Sequence, residues 1–277
     1  MNRASSATGW ARNPVMKSPE LDPTQASSYE LGWTLNPITG CINGCEYCYA
    51  RKLANGRLKQ MYLRNPNVAP AAPGWEMKSA VIGDTRHNLD ARYLDPFYPR
   101  FWPDRLYIPF NSKPKGIFTV DMGELFGDWI PREWQDDIFR VIKLHPNDRF
   151  YLLTKQPQNL SKFSPFPDNV YIGVTATNRE RFVSACTYLE HIWAKVKYLS
   201  LEPLLDWHDG GGVDIKGYLE NGGINWLIIG AQSKPTVYPK PEWVAEITLA
   251  ADKAGIPVFG KNNLKPLLGD NLRQELP

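Results

Sequence analysis

Apolar positions along this chain follow two rhythms. From Gly116 onward, short runs rich in β-branched and aromatic residues alternate with longer segments in which apolar residues recur every three or four positions. The runs cover 116–120, 150–153, 170–174, 196–201, 226–229 and 257–259, and their length and composition predict strands. The segments between most of them predict helices, clearest over 131–143, 178–193 and 241–254. The first of these opens on Pro131 with Glu133 close behind, both favourable in a first helical turn. One more strand is expected near Leu31–Leu35, ended by Asn36-Pro37 and Gly40, with a helix from about Glu46 to Leu58 behind it. Alternation of this kind predicts parallel βα units. Six or seven of them predict an α/β fold, a full or partial TIM-type (β/α) barrel.

The remaining segments break the rhythm. Residues 1–28 are polar and aperiodic and are expected to form an N-terminal arm. The stretch from about 65 to 115 is irregular and rich in proline and aromatics (Trp75, Tyr93, Phe97, Tyr98, Phe101, Trp102), so it reads as an insertion that packs as a lid or cover rather than as a flexible linker. With 277 residues, 43% of them hydrophobic, residues 29–277 are expected to form a single domain around one large core. A net charge of +3 with scattered cations announces neither nucleic acid nor an acidic membrane. No run approaches the roughly 20 apolar residues of a membrane span, and the N-terminus lacks the apolar centre of a signal peptide. A cytoplasmic protein without membrane contact is expected.

In a βα barrel the functional groups gather where strands end. Here each strand is followed at once by polar or small residues: Asp121-Met122-Gly123-Glu124, Thr154-Lys155, Thr175-Ala176-Thr177-Asn178, Glu202-Pro203, Gly230-Ala231-Gln232-Ser233 and Gly260-Lys261. Glu202 and Lys155 are the candidate catalytic residues. Glu202 is suited to bind a cofactor, to hold a substrate, or merely to pair with Lys155. Lys261 is either a cation for a carboxylate or phosphate, or a solvated lysine.

The most specific signal lies before these strands. Cys41, Cys45 and Cys48 are spaced C-x3-C-x2-C on a loop that Asn43 and Gly44 allow to turn tightly. Three thiolates so placed can cap three irons of a cubane, leaving the fourth iron without a protein ligand. A closed zinc site would need a fourth ligand such as His87 or Cys186, and Cys186 sits in a predicted helix as a small buried hydrophobe. Ferredoxin runs use C-x2-C-x2-C and a fourth cysteine, so the wider gap disfavours plain electron transfer.

This motif, with Tyr47 in its aromatic place, resembles that of the radical S-adenosylmethionine superfamily, C-x3-C-x-aromatic-C after the first barrel strand. The stretches 33–40, 122–126, 153–157, 173–175, 199–205 and 228–233 add a resemblance to a family of phage- and prokaryote-associated proteins within it. The resemblance implies a 4Fe-4S cluster on Cys41, Cys45 and Cys48. S-adenosylmethionine would bind the open iron, and its reductive cleavage would give a 5′-deoxyadenosyl radical that acts on an unidentified substrate, with a flavodoxin or ferredoxin as electron donor. It also implies that Gly123-Glu124, here in Met-Gly-Glu rather than Gly-Gly-Glu, receives the amino group of S-adenosylmethionine. Thr175, Thr177 and Asn178 would meet its ribose, or else cap a helix. Nucleic acid is one substrate class, with Arg86, Arg92, Arg100 and Arg105 among the insertion's aromatics. A peptide is another, although this chain has no further cysteine cluster. The rival from a different class is a non-catalytic, zinc-braced nucleic-acid-binding protein.

Overall fold

A computed structural model describes residues 2–3, 32–71, 78–82, 85–107, 114–208 and 212–277. Most of the predicted arm, together with Leu31 and Trp75, lies outside these residues. The strands are β1 (Asn2–Arg3), β2 (Trp33–Leu35), β3 (Ile38–Thr39), β4 (Lys78–Ile82), β5 (Thr85–Leu89) and β6 (Arg100–Phe101). They continue with β7 (Gly116–Thr119), β8 (Arg149–Thr154), β9 (Val170–Thr175), β10 (Val196–Leu201), β11 (Trp226–Ile229) and β12 (Val258–Gly260). Seven of them, β2 and β7 to β12, lie parallel in chain order, each beside its predecessor, and curl into a half-barrel. The sheet is open rather than closed. At one edge β1 pairs antiparallel with β2. At the other, Gly260 N donates to Arg273 O at 2.7 Å and Glu275 N to Val258 O at 3.0 Å. Both edges therefore have their backbone groups occupied, the usual protection against edge pairing.

The helices are α1 (Tyr49–Asn55), α2 (Lys59–Leu63), α3 (Ala91–Leu94), α4 (Arg132–Leu144), α5 (Arg179–Glu190), α6 (Ile215–Asn221), α7 (Pro241–Lys253) and α8 (Lys265–Leu268). Of these, α4 to α7 cover the convex side, while α1 and α2 pack with Phe97 and Met122 in a separate cluster. The helix expected over about 46–58 is shorter, Tyr49–Asn55, and ends at Gly56, with α2 following from Lys59. The β8–β9 connection is a 3-10 segment, Pro157–Phe163, in a stretch where Pro157, Pro165 and Pro167 remove the backbone donors a longer helix needs.

The alternation of strand side chains builds two separate cores. Ile117, Phe150, Leu152, Ile172, Leu199, Leu227 and Val258 pack with helix residues such as Ile138, Phe182, Leu219 and Ile247. Their neighbours Phe118, Tyr151, Tyr171, Tyr198, Trp226 and Phe259 form a cluster that, among the described residues, no helix residue joins, which assigns it to the concave side. This aromatic plug fills the lower part of the half-barrel. Gly173 makes room for it, because a Cβ there would stand 2.3 Å from the Tyr198 ring. Gly173→Ala is thus expected to cost about 2–3 kcal/mol through overpacking, read as a lowered midpoint in denaturant or thermal unfolding.

On the same face, four residues beyond Tyr151, Tyr171, Tyr198 and Trp226 and two beyond Phe259, stand Lys155, Thr175, Glu202, Gly230 and Lys261. The concave side thus changes from aromatic to polar at the C-terminal ends of the strands.

The insertion is a folded brace. β4 and β5 form a hairpin, and β6 pairs antiparallel with β3, beside the cysteine loop. Arg100 is fully buried and donates Nη1 to Asp95 O at 2.7 Å and to Tyr98 O at 2.9 Å, and Nη2 to Arg92 O at 3.2 Å.

Candidate functional site

The cysteine loop is fixed from below by backbone contacts. Gly40 has φ +91°, and a Cβ on it would lie 2.5 Å from Tyr98 O, so only glycine fits there. Its N–H donates to Met122 O at 2.9 Å, and Cys41 N donates to Phe97 O at 2.9 Å. Gly40 also bridges Gly123 in parallel fashion. The cysteine loop and Met122-Gly123-Glu124 thereby meet in a direct backbone contact. Val120 enters this second loop with φ 62°, an uncommon conformation for a β-branched residue and a local strain at the site.

The three thiols share the loop, each with a local partner. Asn43 N donates to Cys41 Sγ at 3.3 Å, Arg51 N donates to Cys48 Sγ at 3.4 Å, and the Cys45 thiol meets the Tyr47 hydroxyl. Cys48 caps α1 in this way. Burial pushes the Cys41 thiol up to about 12, with the charges of Glu124, Cys45 and Cys48 adding to it. Such a cluster of potential anions becomes favourable as thiolates once a cation sits among them. Among the described residues no three His, Cys, Asp or Glu side chains stand in a preformed ligating arrangement. The donor set nevertheless suits a cluster with one open iron better than a closed zinc site. The fourth cysteine, Cys186, is buried in the helix-side core, and the side chain of His87 lies outside the described residues.

Glu124 is the hub of the site. Its Oε1 accepts from Thr154 Oγ1 at 2.6 Å and Phe126 N at 3.0 Å, and its Oε2 from Lys155 N at 3.0 Å and Asn43 Nδ2 at 3.3 Å. A carboxylate has about four acceptor positions, and here four donors fill them. Glu124 therefore ties the cysteine loop to the ends of β7 and β8, and its expected contact with an ammonium group has no open acceptor in this arrangement. Gln156 adds to the tie by donating to Asn43 Oδ1.

On the same face, Tyr49 donates its hydroxyl to Asp121 O at 2.7 Å and to Oδ2 at 3.2 Å, while its ring stays half-exposed. Lys155 Nζ stands 5.8 Å from the centre of the Tyr47 ring. It does not pair with Glu202. That carboxylate meets Lys261 instead, and Lys261 is buried rather than solvated, because the pair spans Gly230 inside the half-barrel. A Cβ at Gly230 would lie 2.9 Å from Glu202 Cγ and 3.1 Å from Lys261 Cδ.

Thr175 and Thr177 are buried at the end of β9. Asn178 is the N-cap of α5, its side chain accepting from Arg181 N at 2.8 Å. As a cap, Asn178→Ala is expected to lose about 1 kcal/mol, measurable as a small fall in melting temperature.

Three of the arginines expected to meet phosphates serve the fold instead. Arg100 is buried, Arg92 is held by Asp90 with Nε 2.8 Å from Oδ2, and Arg105 donates to Asn36 O at 2.8 Å while lying 4.1 Å over Trp102. The side chain of Arg86 lies outside the described residues. A cleft of about 470 Å³ beside α2, lined by Met61, Arg64, Asn65, Phe101 and Trp102, contains none of the predicted site residues.

Asn43 and Gln156 were not expected as parts of the site, and Thr154 and Gly230 were expected only as strand-end residues without a role. Asn43 reads from sequence as a turn former, and Gly230 as one glycine among many. Only the packed strand ends reveal their contacts.

Among the described residues no helix is long and apolar enough to cross a membrane. No curated protein and no solved structure matches the chain significantly. One family model does, across residues 29–264, which is most of the chain and includes every residue of the site. The chain therefore belongs to the family described as "Protein of unknown function (DUF5131)".

Proposed function

We propose that this protein is a radical S-adenosylmethionine enzyme on a partial TIM-type barrel, with a 4Fe-4S cluster held by Cys41, Cys45 and Cys48. The observation that carries the reading is the trio of thiols at the mouth of the half-barrel, without a fourth cysteine beside them among the described residues. When bound, the cluster supplies an electron to the sulfonium of S-adenosylmethionine, which cleaves to methionine and a 5′-deoxyadenosyl radical.

The chain's own residues bind and orient. Glu124 holds the cysteine loop against the ends of β7 and β8 through Asn43, Thr154 and Lys155. Tyr47 sets its hydroxyl against the Cys45 thiol. Lys155, which has no carboxylate partner among the described residues, supplies a cation for the carboxylate of S-adenosylmethionine, and the end of β9 with Thr175 and Thr177 offers hydroxyls to the ribose. The aromatic plug excludes water from below. The reducing electron would come from a flavodoxin or ferredoxin.

Anaerobic reconstitution with iron and sulfide, then dithionite and S-adenosylmethionine, tests the proposal. A brown protein that releases 5′-deoxyadenosine is expected. A colourless protein that retains zinc and cleaves nothing contradicts it and favours a metal-braced binding protein.

A further inference from the structure

The Glu202–Lys261 pair is partly withdrawn from water, with side chains 25% and 11% exposed, and burying ions costs free energy that a mere salt bridge seldom recovers. Its chemistry is also unfinished. Among the described residues Glu202 Oε2 accepts no hydrogen bond, and Lys261 Nζ, with three donors, contacts only Glu202 Oε1. Acceptor and donor thus lie side by side, spanning Gly230, at the polar level just above the aromatic plug. A ligand edge with an N–H next to a carbonyl or ring nitrogen complements that arrangement.

Two further features narrow the ligand. Tyr49, on the helix whose Lys52 reaches the loop after β11 at Lys234 O, is 51% exposed with its hydroxyl pinned to Asp121. A fixed, exposed ring is a stacking platform for a planar group. Beside it, Lys52 donates Nζ to Lys234 O at 2.7 Å, which brings two cations together. Among the described residues neither Lys52 nor Lys234 pairs with a carboxylate, and the exposed carboxylate of the cysteine loop is Glu46. Cations beside an aromatic platform fit a phosphate backbone. A peptide edge would satisfy the ion pair but would leave both the platform and the cations without a use.

We propose that the mouth takes one nucleobase of a single-stranded nucleic acid, stacked on Tyr49, with its hydrogen-bonding edge on Glu202 and Lys261 and its flanking phosphates on the surrounding cations. This names the substrate class of the site described above and rests on that reading for what happens to the base. Its test does not depend on that chemistry.

The full chain, reconstituted anaerobically, is titrated by fluorescence anisotropy with a labelled single strand of about 12 nucleotides and with an abasic strand of the same length. The abasic strand is expected to bind roughly ten-fold more weakly, since stacking and edge contacts are lost. Exchanging the pair, E202K with K261E, keeps an ion pair but reverses donor and acceptor, and is expected to weaken base-dependent binding by a similar factor. Should the exchanged chain fail to fold by circular dichroism, Tyr49→Ala serves in its place, with a loss of roughly ten-fold. Lys52→Glu with Lys234→Glu is expected to lower the salt slope by about 0.7 for each contact removed. Equal binding of the two strands, or no binding of either, overturns the proposal, as does parental affinity in the exchanged chain or, where that chain does not fold, in Tyr49→Ala. Release of 5′-deoxyadenosine is measured in the same samples. Base-dependent binding without cleavage counts against the cluster alone, and cleavage without base dependence counts against the substrate class alone.

Discussion

Replacing Cys41, Cys45 and Cys48 together by alanine is expected to remove all reconstituted iron and reduce 5′-deoxyadenosine release to background, with little loss of stability. The two halves of that outcome have separate causes. Thiolates are the only strong iron ligands on this loop, and no other cysteine stands by to replace them, because Cys186 is buried in the helix-side core. The fold, by contrast, loses little. The loop is held by backbone bonds from Gly40 and Cys41 and by the Asn43–Glu124 contact, none of which needs a sulfur. The contacts to sulfur that disappear are weak: Asn43 N on Cys41 Sγ, the Tyr47 hydroxyl on Cys45, and the cap from Arg51 N to Cys48 Sγ, the last worth about 1 kcal/mol. Iron content, colour and melting temperature measured on one preparation check both halves.

Glu124 gives the second large effect, in the opposite sense. Glu124→Ala frees Phe126 N and Thr154 Oγ1 in a buried setting, and Lys155 N and Asn43 Nδ2 in a half-buried one. Each buried donor left without a partner costs about 1–3 kcal/mol. Even with relaxation a total near 4 kcal/mol is expected, or a fall of roughly 10 °C in melting temperature for a chain of this size. Glu124→Gln keeps one acceptor oxygen but turns an NH2 toward two donors, so it is expected to lose most of the same stability. Differential scanning calorimetry reads both variants. A free carboxylate that merely met the amino group of S-adenosylmethionine would behave otherwise: Glu124→Gln would then raise KM and leave the melting temperature unchanged.

Much of the architecture was legible because it rests on local pattern. The strand runs from Gly116 to Phe259 are apolar in every alternate register, as strands covered on both faces must be, and they fall where expected. The helices over 131–143, 178–193 and 241–254 emerge within a few residues of the expected bounds. Helix α6 escaped notice because seven residues, Ile215–Asn221, carry too few turns for a periodic signal. The extent of closure also escaped, since β-branched runs look alike in a full barrel and an open one. Only the segments that occupy the edges of β2 and β12 decide it.

At the site, spacing singled out the cysteines, and the strand-end rule located Lys155, Thr175 and Glu202. Partnerships were beyond it. Whether Glu202 meets Lys155 or Lys261 depends on which strands lie next to each other and on the missing side chain at Gly230. The arginines of the insertion show the same limit in reverse. Sequence offers Arg92, Arg100 and Arg105 as phosphate ligands, and the folded insertion spends their donors on Asp90 and on backbone carbonyls, which loops without regular ladders must satisfy somehow.

The claim on which the rest depends is that three protein thiols leave one iron of the cluster open to S-adenosylmethionine. Mössbauer spectroscopy of the chain reconstituted with isotopically enriched iron, before and after adding S-adenosylmethionine, addresses it directly. The expected result is a 4Fe-4S spectrum in which a single iron of the four changes on addition while the others stay as they were. A spectrum that S-adenosylmethionine leaves untouched, or a preparation that takes up zinc and no iron, would contradict it.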